Sequence, residues 1–537
     1  MTSPVADSIS IPKHPPESYS YSHSPNAPLA SAPQDRPDIP EEACGVFGLF
    51  APEAEVAAMT YFGLFALQHR VQESAGIATF DDSRIHLYKD MGLVSQVFNE
   101  EILTTLPGYM AIGHTRYSTT GSSKVANAQP LQISTKRGDF ALAHNGNLVN
   151  AVELRAELRE QGVSFETTID SEAIAIALGL EVDAGYDWIE AASRAFKRCL
   201  GAFSLVVGTP IGLIGARDPN GVRPLVIGRL PQSDRYVLSS ETCGLDIVGA
   251  EYVRDVKPGE LVIINESGLE SVIWAEQPNK KMCVFEMIYF ARPDSLFNNE
   301  TRYSYRKRLG RQLAAESSVE ADIVIGVPDS GIPAAIGFSE ASGITYAEGL
   351  IKNRYVGRTF IQPTQAMREA GIRMKLNPLK DVLEGRRVII VDDSIVRGTT
   401  SRKIVKALRD AGAKEVHMRI SSPPVTHPCF YGLDTDNQDQ LIAAKLSTEA
   451  IAQKIGVDTL GYLSESGMLK VTQEDVDGFC TACFSGKYPI PVPQLLQRSK
   501  LMLEDVASHR VGAIAPVVDA PTVEAPVETT EREPLPV

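Results

Sequence analysis

One stretch of this chain, residues 387–401, constrains its fold more than any other. It begins with apolar, mostly β-branched residues, reaches Asp392 and Asp393, and continues through a loop with a glycine and several hydroxyl side chains. The apolar run predicts a buried strand. Apolar residues at helical spacing over 402–411 predict a following helix that ends near Gly412. In an open α/β sheet, ligands bind at such a strand–loop–helix corner.

The chemistry of this corner suits a sugar phosphate. Loop amides and a helix N-terminus favour a phosphate group, and the two carboxylates can hold sugar hydroxyls or help to bind Mg²⁺. An apolar strand that ends in two aspartates also occurs in nucleotide hydrolases and phosphoacceptor domains, and it can simply cap the next helix. The complete run is more specific, because it resembles the signature of type I phosphoribosyltransferases that use phosphoribosyl pyrophosphate (PRPP).

That resemblance implies roles for individual residues. Asp392 and Asp393 would bind the ribose hydroxyls and Mg²⁺. The residues that would surround the 5-phosphate are Ser394, Arg397, Gly398, Thr399, Thr400 and Ser401. Upstream, Ser330 lies in a turn that would bind pyrophosphate and Mg²⁺, and Lys352 would help to neutralise the pyrophosphate. Residues 355–363 resemble the loop that closes over PRPP in this family. Strand-like and helix-like patterns alternate through this half and predict a parallel α/β sheet.

The other half of the chain begins near Cys44, where a Pro- and Ser-rich segment gives way to a strand-like pattern. A lone cysteine at such a junction is more often a small buried residue than a catalytic one. Three later segments, at 113–121, 143–148 and 168–172, change this interpretation. Together with Cys44 they resemble the glutaminase domain of the N-terminal-nucleophile amidotransferases. The resemblance implies a four-layer α/β/β/α sandwich of antiparallel sheets.

The glutaminase resemblance implies that Cys44 is the first residue of the mature chain and that residues 1–43 are removed. The thiolate of Cys44 would attack the amide of glutamine, and its α-amine would act as the base, since an α-amine has a pKa of about 7.7–8.0. Asn145 and the backbone N–H of Gly146 would form the oxyanion hole. The residues that would bind glutamine are Arg116, Thr119 and Asp170. Residues 67–73 also resemble a family segment, with Val71 at a position that is usually glycine.

Seven cysteines in a long chain without a secretory signal indicate a reducing compartment. Cys480 and Cys483 form a C-x₂-C pair, which by itself fits zinc and an iron–sulfur centre equally well. One branch of the glutamine PRPP amidotransferases has a [4Fe–4S] cluster and a cleaved pro-segment. Resemblance to that branch adds Cys283 and Cys429 as cluster ligands. The two cysteines without such a context, Cys199 and Cys243, are expected to be buried thiols.

Composition limits the classes of partner. The net charge of −15 argues against general binding to nucleic acid or acidic membranes, and no apolar run reaches the ~18 residues of a membrane helix. The first 43 residues contain nine prolines, eight serines and six acidic residues against two basic ones, which predicts a disordered extension. The predicted segments are 1–43 extension, 44–275 glutaminase domain, 276–505 phosphoribosyltransferase domain and 506–537 disordered tail.

Taken together, the two halves resemble the glutamine PRPP amidotransferases. This implies an enzyme that hydrolyses glutamine and channels ammonia to PRPP, with Mg²⁺ and a [4Fe–4S] cluster as cofactors. It also implies a cytoplasmic homotetramer inhibited by purine nucleotides. Two alternatives use only half of the chain. A glutaminase joined to a sugar isomerase would not need the 387–401 run, and a non-catalytic PRPP-sensing regulator would not need Cys44, Arg116 and Asn145.

Overall fold

The computed structural model describes residues 44–116, 122–353, 376–433, 435 and 438–493. Four features of the sequence analysis lie outside these residues: Thr119, the 355–363 segment, the extension before Cys44 and the tail from residue 506.

The first half of the described chain is built on two antiparallel sheets. Their strands are β1 (Gly45–Phe50), β2 (Ser74–Phe80), β3 (Ile85–Met91), β4 (Met110–Arg116), β5 (Leu131–Ile133), β6 (Phe140–Leu148), β7 (Gly201–Thr209), β8 (Gly212–Arg217), β9 (Val226–Leu230), β10 (Arg235–Ser239), β11 (Glu251–Asp255), β12 (Glu260–Asn265) and β13 (Gly268–Ile273). Within the described residues, the sheet orders are β11-β9-β10-β1-β4-β2-β3 and β13-β12-β8-β7-β6-β5.

Helices cover the outer faces of both sheets. They are Val56–Ala66, Val94–Val97, Glu100–Thr104, Val125–Asn127, Ala151–Glu160, Asp170–Asp183, Trp188–Lys197 and Thr242–Asp246. Fully buried side chains from both sheets meet in one core between them, with Val46 and Ile112 on one side and Ala143 and Val206 on the other. Alternating residues of each strand face the opposite way, toward the helices. The expected four-layer α/β/β/α sandwich is therefore confirmed.

The second half contains a parallel sheet. Its strands and the short pairs beside it are β14 (Met282–Cys283), β15 (Leu296–Phe297), β16 (Glu300–Thr301), β17 (Ile323–Gly326), β18 (Leu350–Lys352), β19 (Leu376–Pro378), β20 (Arg387–Asp392), β21 (Glu415–Ile420), β22 (Thr459–Tyr462) and β23 (Phe479–Cys480). The order β17-β20-β21-β22 is parallel throughout, as the alternating pattern predicted.

Helices in this half connect and cover the strands. They are the π-helix Glu286–Phe290 and the helices Arg302–Glu316, Ile332–Ser342, Lys380–Leu383, Thr399–Asp410, Gln438–Gln440, Ile442–Ala444, Thr448–Ile455, Glu465–Lys470, Val476–Gly478 and Ala482–Ser485. None of the helices in the described part of the chain is long and apolar enough to cross a membrane.

The strand–loop–helix corner is present, with one difference from the prediction. β20 ends at Asp392 as expected, but the helix begins at Thr399 rather than near Arg402. Gly398 precedes it with a φ of 76°, a left-handed conformation that glycine adopts without strain. This turn lets the chain enter the helix three residues earlier. Thr399, Thr400 and Ser401 therefore form the first helical turn, whose N–H groups are not used by hydrogen bonds within the helix.

Candidate active sites

The first candidate site lies at the start of β1, where Cys44 immediately precedes the strand and is buried. β1 lies between β10 and β4 in its sheet. The antiparallel register pairs Gly45 with Thr115, so Cys44 and Arg116 lie at the same end of the two strands. Sheet geometry thus brings a predicted nucleophile and a predicted glutamine-binding residue together across about 70 positions of sequence.

The predicted oxyanion residues, Asn145 and Gly146, lie in β6 of the second sheet. His114 of β4 forms a 2.9 Å hydrogen bond from Nε2 to the carbonyl oxygen of His144, which joins this part of β6 to the sheet of Cys44. The side-chain nitrogen of Asn145 is buried and has no hydrogen-bond partner within the described residues. An unpaired buried donor is costly, and such groups are retained at functional sites. Asn145 therefore has a donor available for a negatively charged oxygen.

Gly146 occupies a position where only glycine fits. Its φ is 151°, and a Cβ at this residue would lie 1.9 Å from the carbonyl oxygen of Ala202. The backbone here is consequently held close to β7, in a conformation that a side chain would not permit. The oxyanion role that the resemblance implies for Gly146 would accordingly be one of its backbone N–H.

The two described residues predicted to bind glutamine, Arg116 and Asp170, are both buried. Arg116 donates from Nη1 to Glu73 Oε1 at 2.9 Å. Asp170 begins a helix, and its Oδ2 accepts from the backbone N–H of Leu148 at 2.8 Å, two residues beyond Gly146. The structure therefore gathers Cys44, Arg116, Asn145, Gly146 and Asp170 at one end of the sandwich.

Beneath Cys44 lies a group that sequence reasoning missed. The guanidinium of Arg70 donates from Nε to the carbonyl oxygen of Cys44 at 3.0 Å, and from Nη2 to Glu286 Oε1 at 2.7 Å. Arg70 also pairs with Glu241, and Arg223 donates to Glu286 Oε1 at 3.0 Å. All four side chains are buried. We call Arg70, Arg223, Glu241 and Glu286 the buried charge cluster.

The charges of this cluster stabilise one another. Burial alone would lower the pKa of Arg70, but Glu286 and Glu241 raise it above its usual value. Burial alone would likewise raise the pKa of Glu286, but Arg70 and Arg223 lower it. Arg70 lies in the segment 67–73, which resembles a family segment. Its partners are 171 and 216 positions away, so no local pattern could identify them.

The second candidate site lies at the carboxyl edge of the parallel sheet. The register pairs Gly326 of β17 with Val391 of β20, so the turn that follows β17 adjoins Asp392 and Asp393. Ser330 and Ser394 both hydrogen-bond the carboxylate of Asp393, the latter at 2.6 Å. Burial raises the pKa of Asp393, while these hydrogen bonds lower it. Ser330, Asp392, Asp393 and Ser394 thus meet as the sequence predicted.

The remaining residues of the predicted PRPP site lie around this edge. Lys352 ends β18 and forms an ion pair with Asp329, the neighbour of Ser330. Arg397 donates from Nε to Gln440 Oε1 at 2.9 Å. The residues that line the entry to the following helix are Gly398, Thr399, Thr400 and Ser401. Two carboxylates and one hydroxyl are a donor set that suits Mg²⁺, which usually takes one or two protein carboxylates together with substrate oxygens.

The four cysteines predicted to hold a cluster are brought together from three segments. Cys283 and Cys480 are directly opposite each other on the paired strands β14 and β23. Cys483 follows in the next helix, and its carbonyl oxygen accepts from Thr426 and His427, which lead into Cys429. Burial raises the pKa of all four thiols, and the pKa of Cys483 is raised further by the other three, Cys283, Cys480 and Cys429.

The spacing of these thiols bears on the kind of metal centre. Among the described residues, no three or more His, Cys, Asp or Glu side chains are close enough to hold a single metal ion. A four-iron cluster takes one thiolate on each iron, so its ligands lie farther apart than the ligands of one zinc ion. Four thiols brought together from three segments are the kind of donor set that a [4Fe–4S] cluster requires. Cys199 and Cys243 are separate buried thiols, as expected.

Comparison with known proteins agrees with a glutamine amidotransferase domain followed by a phosphoribosyl transferase domain. A model of the glutamine amidotransferase domain matches residues 114–246, and a model of the phosphoribosyl transferase domain matches residues 295–421. The chain is 68% identical over 476 residues to an amidophosphoribosyltransferase of Synechococcus elongatus, covering 88% of this chain and 97% of that protein. It is 50% identical over 458 residues to the Bacillus subtilis amidophosphoribosyltransferase, covering 84% and 95%.

A solved structure is also similar over most of the chain. It is described as glutamine phosphoribosylpyrophosphate amidotransferase from B. subtilis complexed with ADP and GMP. The TM-score is 0.79 at 50% identity, covering 84% of this chain and 98% of that one. These relatives span both halves, which neither half-chain alternative explains.

Proposed function

This chain belongs to the amidophosphoribosyltransferase family, which converts glutamine and PRPP into 5-phosphoribosylamine, pyrophosphate and glutamate in the first step of purine synthesis; we propose that its two sites divide the reaction as follows. Glutamine is hydrolysed at Cys44, and the ammonia passes internally to PRPP at Asp392 and Asp393. The observation that carries this division is the side-chain nitrogen of Asn145, which is buried and has no hydrogen-bond partner within the described residues, in a chain that also has the strand–loop–helix corner at Asp392 and Asp393.

At the first site, the Cys44 sulfur adds to the amide carbon of glutamine, and the developing oxyanion accepts hydrogen bonds from Asn145 and Gly146. One such donor lowers the barrier by about 2.7–4 kcal/mol in comparable enzymes. The α-amine takes the thiol proton and returns it to the departing nitrogen, which leaves as ammonia. Water then hydrolyses the thioester to give glutamate. Arg116, Thr119 and Asp170 would hold the α-carboxylate and α-ammonium of the substrate.

This chemistry requires a new N-terminus at Cys44. An amide nitrogen within the chain is not basic, whereas an α-amine titrates near neutrality. We therefore infer that residues 1–43 are removed from the active enzyme. N-terminal sequencing of the purified, glutamine-active protein should begin at Cys44. Full glutamine-dependent activity in protein that retains the extension would contradict this inference.

At the second site, ammonia attacks C1 of PRPP and displaces pyrophosphate with inversion. Asp392 and Asp393 would bind the ribose hydroxyls, the 394–401 corner would hold the 5-phosphate, and Ser330 and Lys352 would bind the pyrophosphate. Mg²⁺ held near Ser330, Asp392 and Asp393 would neutralise charge on the leaving group. Because the leaving group already departs well, the protein mainly aligns the two reactants.

Internal transfer of ammonia can be tested with isotopes. The enzyme is supplied with PRPP, amide-¹⁵N-glutamine and an excess of unlabelled ammonium at a pH where most of it is protonated. The 5-phosphoribosylamine should carry the ¹⁵N label in proportion to glutamate formed. Product that matches the isotope ratio of the solution ammonium instead would mean that ammonia leaves the protein before it reacts.

We further propose that Cys283, Cys429, Cys480 and Cys483 hold a [4Fe–4S] cluster, which joins three distant segments and so stabilises the fold. Three of these cysteines are buried and Cys429 is partly buried, and the pairing of Cys283 with Cys480 also supports this assignment. Anaerobically purified protein should contain about four iron atoms and four labile sulfides per chain. Stoichiometric zinc without iron would overturn the cluster and leave the amidotransferase function unchanged.

Regulation and assembly follow from the same family. We propose that purine nucleotides inhibit this enzyme, that it forms a homotetramer, and that it acts in the cytoplasm. The similar enzyme that was solved with ADP and GMP supports nucleotide regulation. Inhibition by ADP and GMP in the glutamine-dependent assay, and a molar mass four times that of the chain by light scattering, are the expected results. A monomer that is insensitive to both nucleotides would contradict this proposal.

A further inference from the structure

Residues 430–432, which we call the clasp, directly follow Cys429 and lie against the oxyanion strand of the other half. The side-chain nitrogen of Asn147 in β6 donates to the carbonyl oxygen of Phe430 at 3.0 Å. Arg223 donates from Nε to the carbonyl oxygen of Tyr431 at 2.9 Å. Both acceptors are backbone carbonyl oxygens. These hydrogen bonds therefore depend on where the clasp backbone lies and not on the side chains of Phe430 and Tyr431.

The third clasp residue, Gly432, approaches Gly146 itself. Its φ is 101°, and a Cβ built on it would lie 3.3 Å and 3.4 Å from the carbonyl carbon and oxygen of Gly146. The same Cβ would lie 3.0 Å from Nη2 of Arg223. A methyl group on Gly432 would therefore press against Gly146 and Arg223, and these neighbours would have to shift by a few tenths of an ångström.

We propose that the clasp is a positioning element for glutamine hydrolysis: it holds Asn145 and Gly146 in place from the phosphoribosyltransferase half. The inference rests on the oxyanion role proposed above. Oxyanion donors must lie within hydrogen-bond range of the developing charge, and a displacement of about 1 Å in such groups costs about 100-fold in rate. The hydrogen bond from Asn147 to Phe430 and the contact of Gly432 with the Gly146 carbonyl fix the strand immediately after the N–H of Gly146.

The clasp is itself anchored at two further points. The hydroxyl of Tyr431 donates to the carbonyl oxygen of Ile490 at 2.6 Å and accepts from its N–H at 3.1 Å. The backbone N–H of Tyr431 contacts the sulfur of Cys429 at 3.4 Å. The oxyanion strand is thus connected, through two residues of backbone, to a thiol of the proposed cluster.

The test compares substitutions at two glycines that both have a left-handed φ. Gly432→Ala places a methyl group against Gly146, whereas Gly185→Ala has nearly the same φ, 102°, and no atom within 4 Å. Gly432→Ala should lower kcat for glutamine-dependent synthesis by about tenfold or more and leave KM for glutamine and ammonia-dependent synthesis close to wild type. Gly185→Ala should retain both activities.

A second variant removes the hydrogen bond between the oxyanion strand and the clasp. Asn147→Asp has no N–H to offer Phe430 and should give the same separation of the two activities. Alkylation of Cys44 by iodoacetamide, followed by mass spectrometry, should proceed at the wild-type rate in both variants, because the thiol itself is unchanged. A general loss of packing would slow or accelerate this reaction and would lower ammonia-dependent synthesis as well.

Asn145→Ala in the same assays tests the oxyanion assignment separately from the clasp proposal. If it keeps glutamine-dependent activity, the oxyanion assignment fails. If it loses that activity while Gly432→Ala and Asn147→Asp both keep theirs, the oxyanion assignment stands and the clasp proposal is overturned. An equal loss of both activities in the two clasp variants would also overturn the proposal, since it would reveal a folding role alone.

Discussion

Replacing Glu286 with glutamine should destabilise the protein far more than an equivalent change at the surface. Glu286 accepts hydrogen bonds from Arg70 at 2.7 and 3.1 Å and from Arg223 at 3.0 Å. The Glu286 side chain is 1% exposed, and its partners are no more exposed, so water does not screen the interactions. Glu286→Gln would leave two buried guanidiniums with the single charge of Glu241.

Removing one member of a buried, hydrogen-bonded ion pair typically costs about 3–5 kcal/mol, because the remaining charge is left uncompensated. A matched control is Glu340, which also accepts from two basic side chains, Lys307 and Arg311, but is 41% exposed. Exposed ion pairs contribute about 0–1 kcal/mol. Glu340→Gln should therefore lower the free energy of unfolding by no more than that amount.

The assay is urea-induced unfolding with linear extrapolation, applied to wild type and both variants at the same protein concentration. The expected difference between the variants is about 2–5 kcal/mol. If Glu286→Gln and Glu340→Gln were equally destabilising, the buried charge cluster would not stabilise the fold more than an exposed ion pair does. Glutamine-dependent activity is a second readout, since Arg70 also binds the carbonyl oxygen of Cys44.

Three further predictions concern other parts of the molecule. The double substitution Asp392→Asn and Asp393→Asn should abolish synthesis from both glutamine and ammonia; normal ammonia-dependent turnover at saturating PRPP would contradict the PRPP assignment. Cys480→Ser should lose iron and the visible absorbance of the cluster, whereas Cys199→Ser should keep its iron content. Burial lowers the pKa of His114 from 6.5 to about 3, so only the unfolded state takes up a proton between these values. This contribution to stability is complete above pH 6.5 and should fall by about 1.4 kcal/mol per unit as the pH drops toward 3. In His114→Gln, the free energy of unfolding should depend less steeply on pH over this range.

Local sequence patterns were sufficient to predict the elements that depend on neighbouring residues in the chain. The apolar run before Asp392, the acids at its end and the alternation of strands and helices identified the parallel sheet and its ligand edge. The start of the helix at Thr399 was missed, because Gly398 permits a tighter entry than the apolar periodicity shows. The resemblance to known families supplied the four-layer sandwich, whose cross-sheet contacts no short segment encodes.

Contacts between the halves were not accessible from the sequence. Arg70 and Glu286 are 216 positions apart, and Asn147 and Phe430 are 283 apart. Neither pair has a spacing or composition that marks it. Gly432 follows a predicted cluster cysteine, yet its approach to Gly146 depends on how two domains meet. Such residues become recognisable only when burial and hydrogen bonding are known.

The central claim is that two separate sites share one reaction, and the most direct measurement is nitrogen-source dependence in Cys44→Ala. The variant is produced from a chain that begins at residue 44, so that removal of the extension is not required. Synthesis of 5-phosphoribosylamine is then measured with glutamine and with ammonia at saturating PRPP and Mg²⁺. The two-site account predicts loss of the glutamine-dependent rate and retention of the ammonia-dependent rate. Glutamine-dependent synthesis at the wild-type rate in Cys44→Ala, or equal loss of both rates in folded protein, would contradict it.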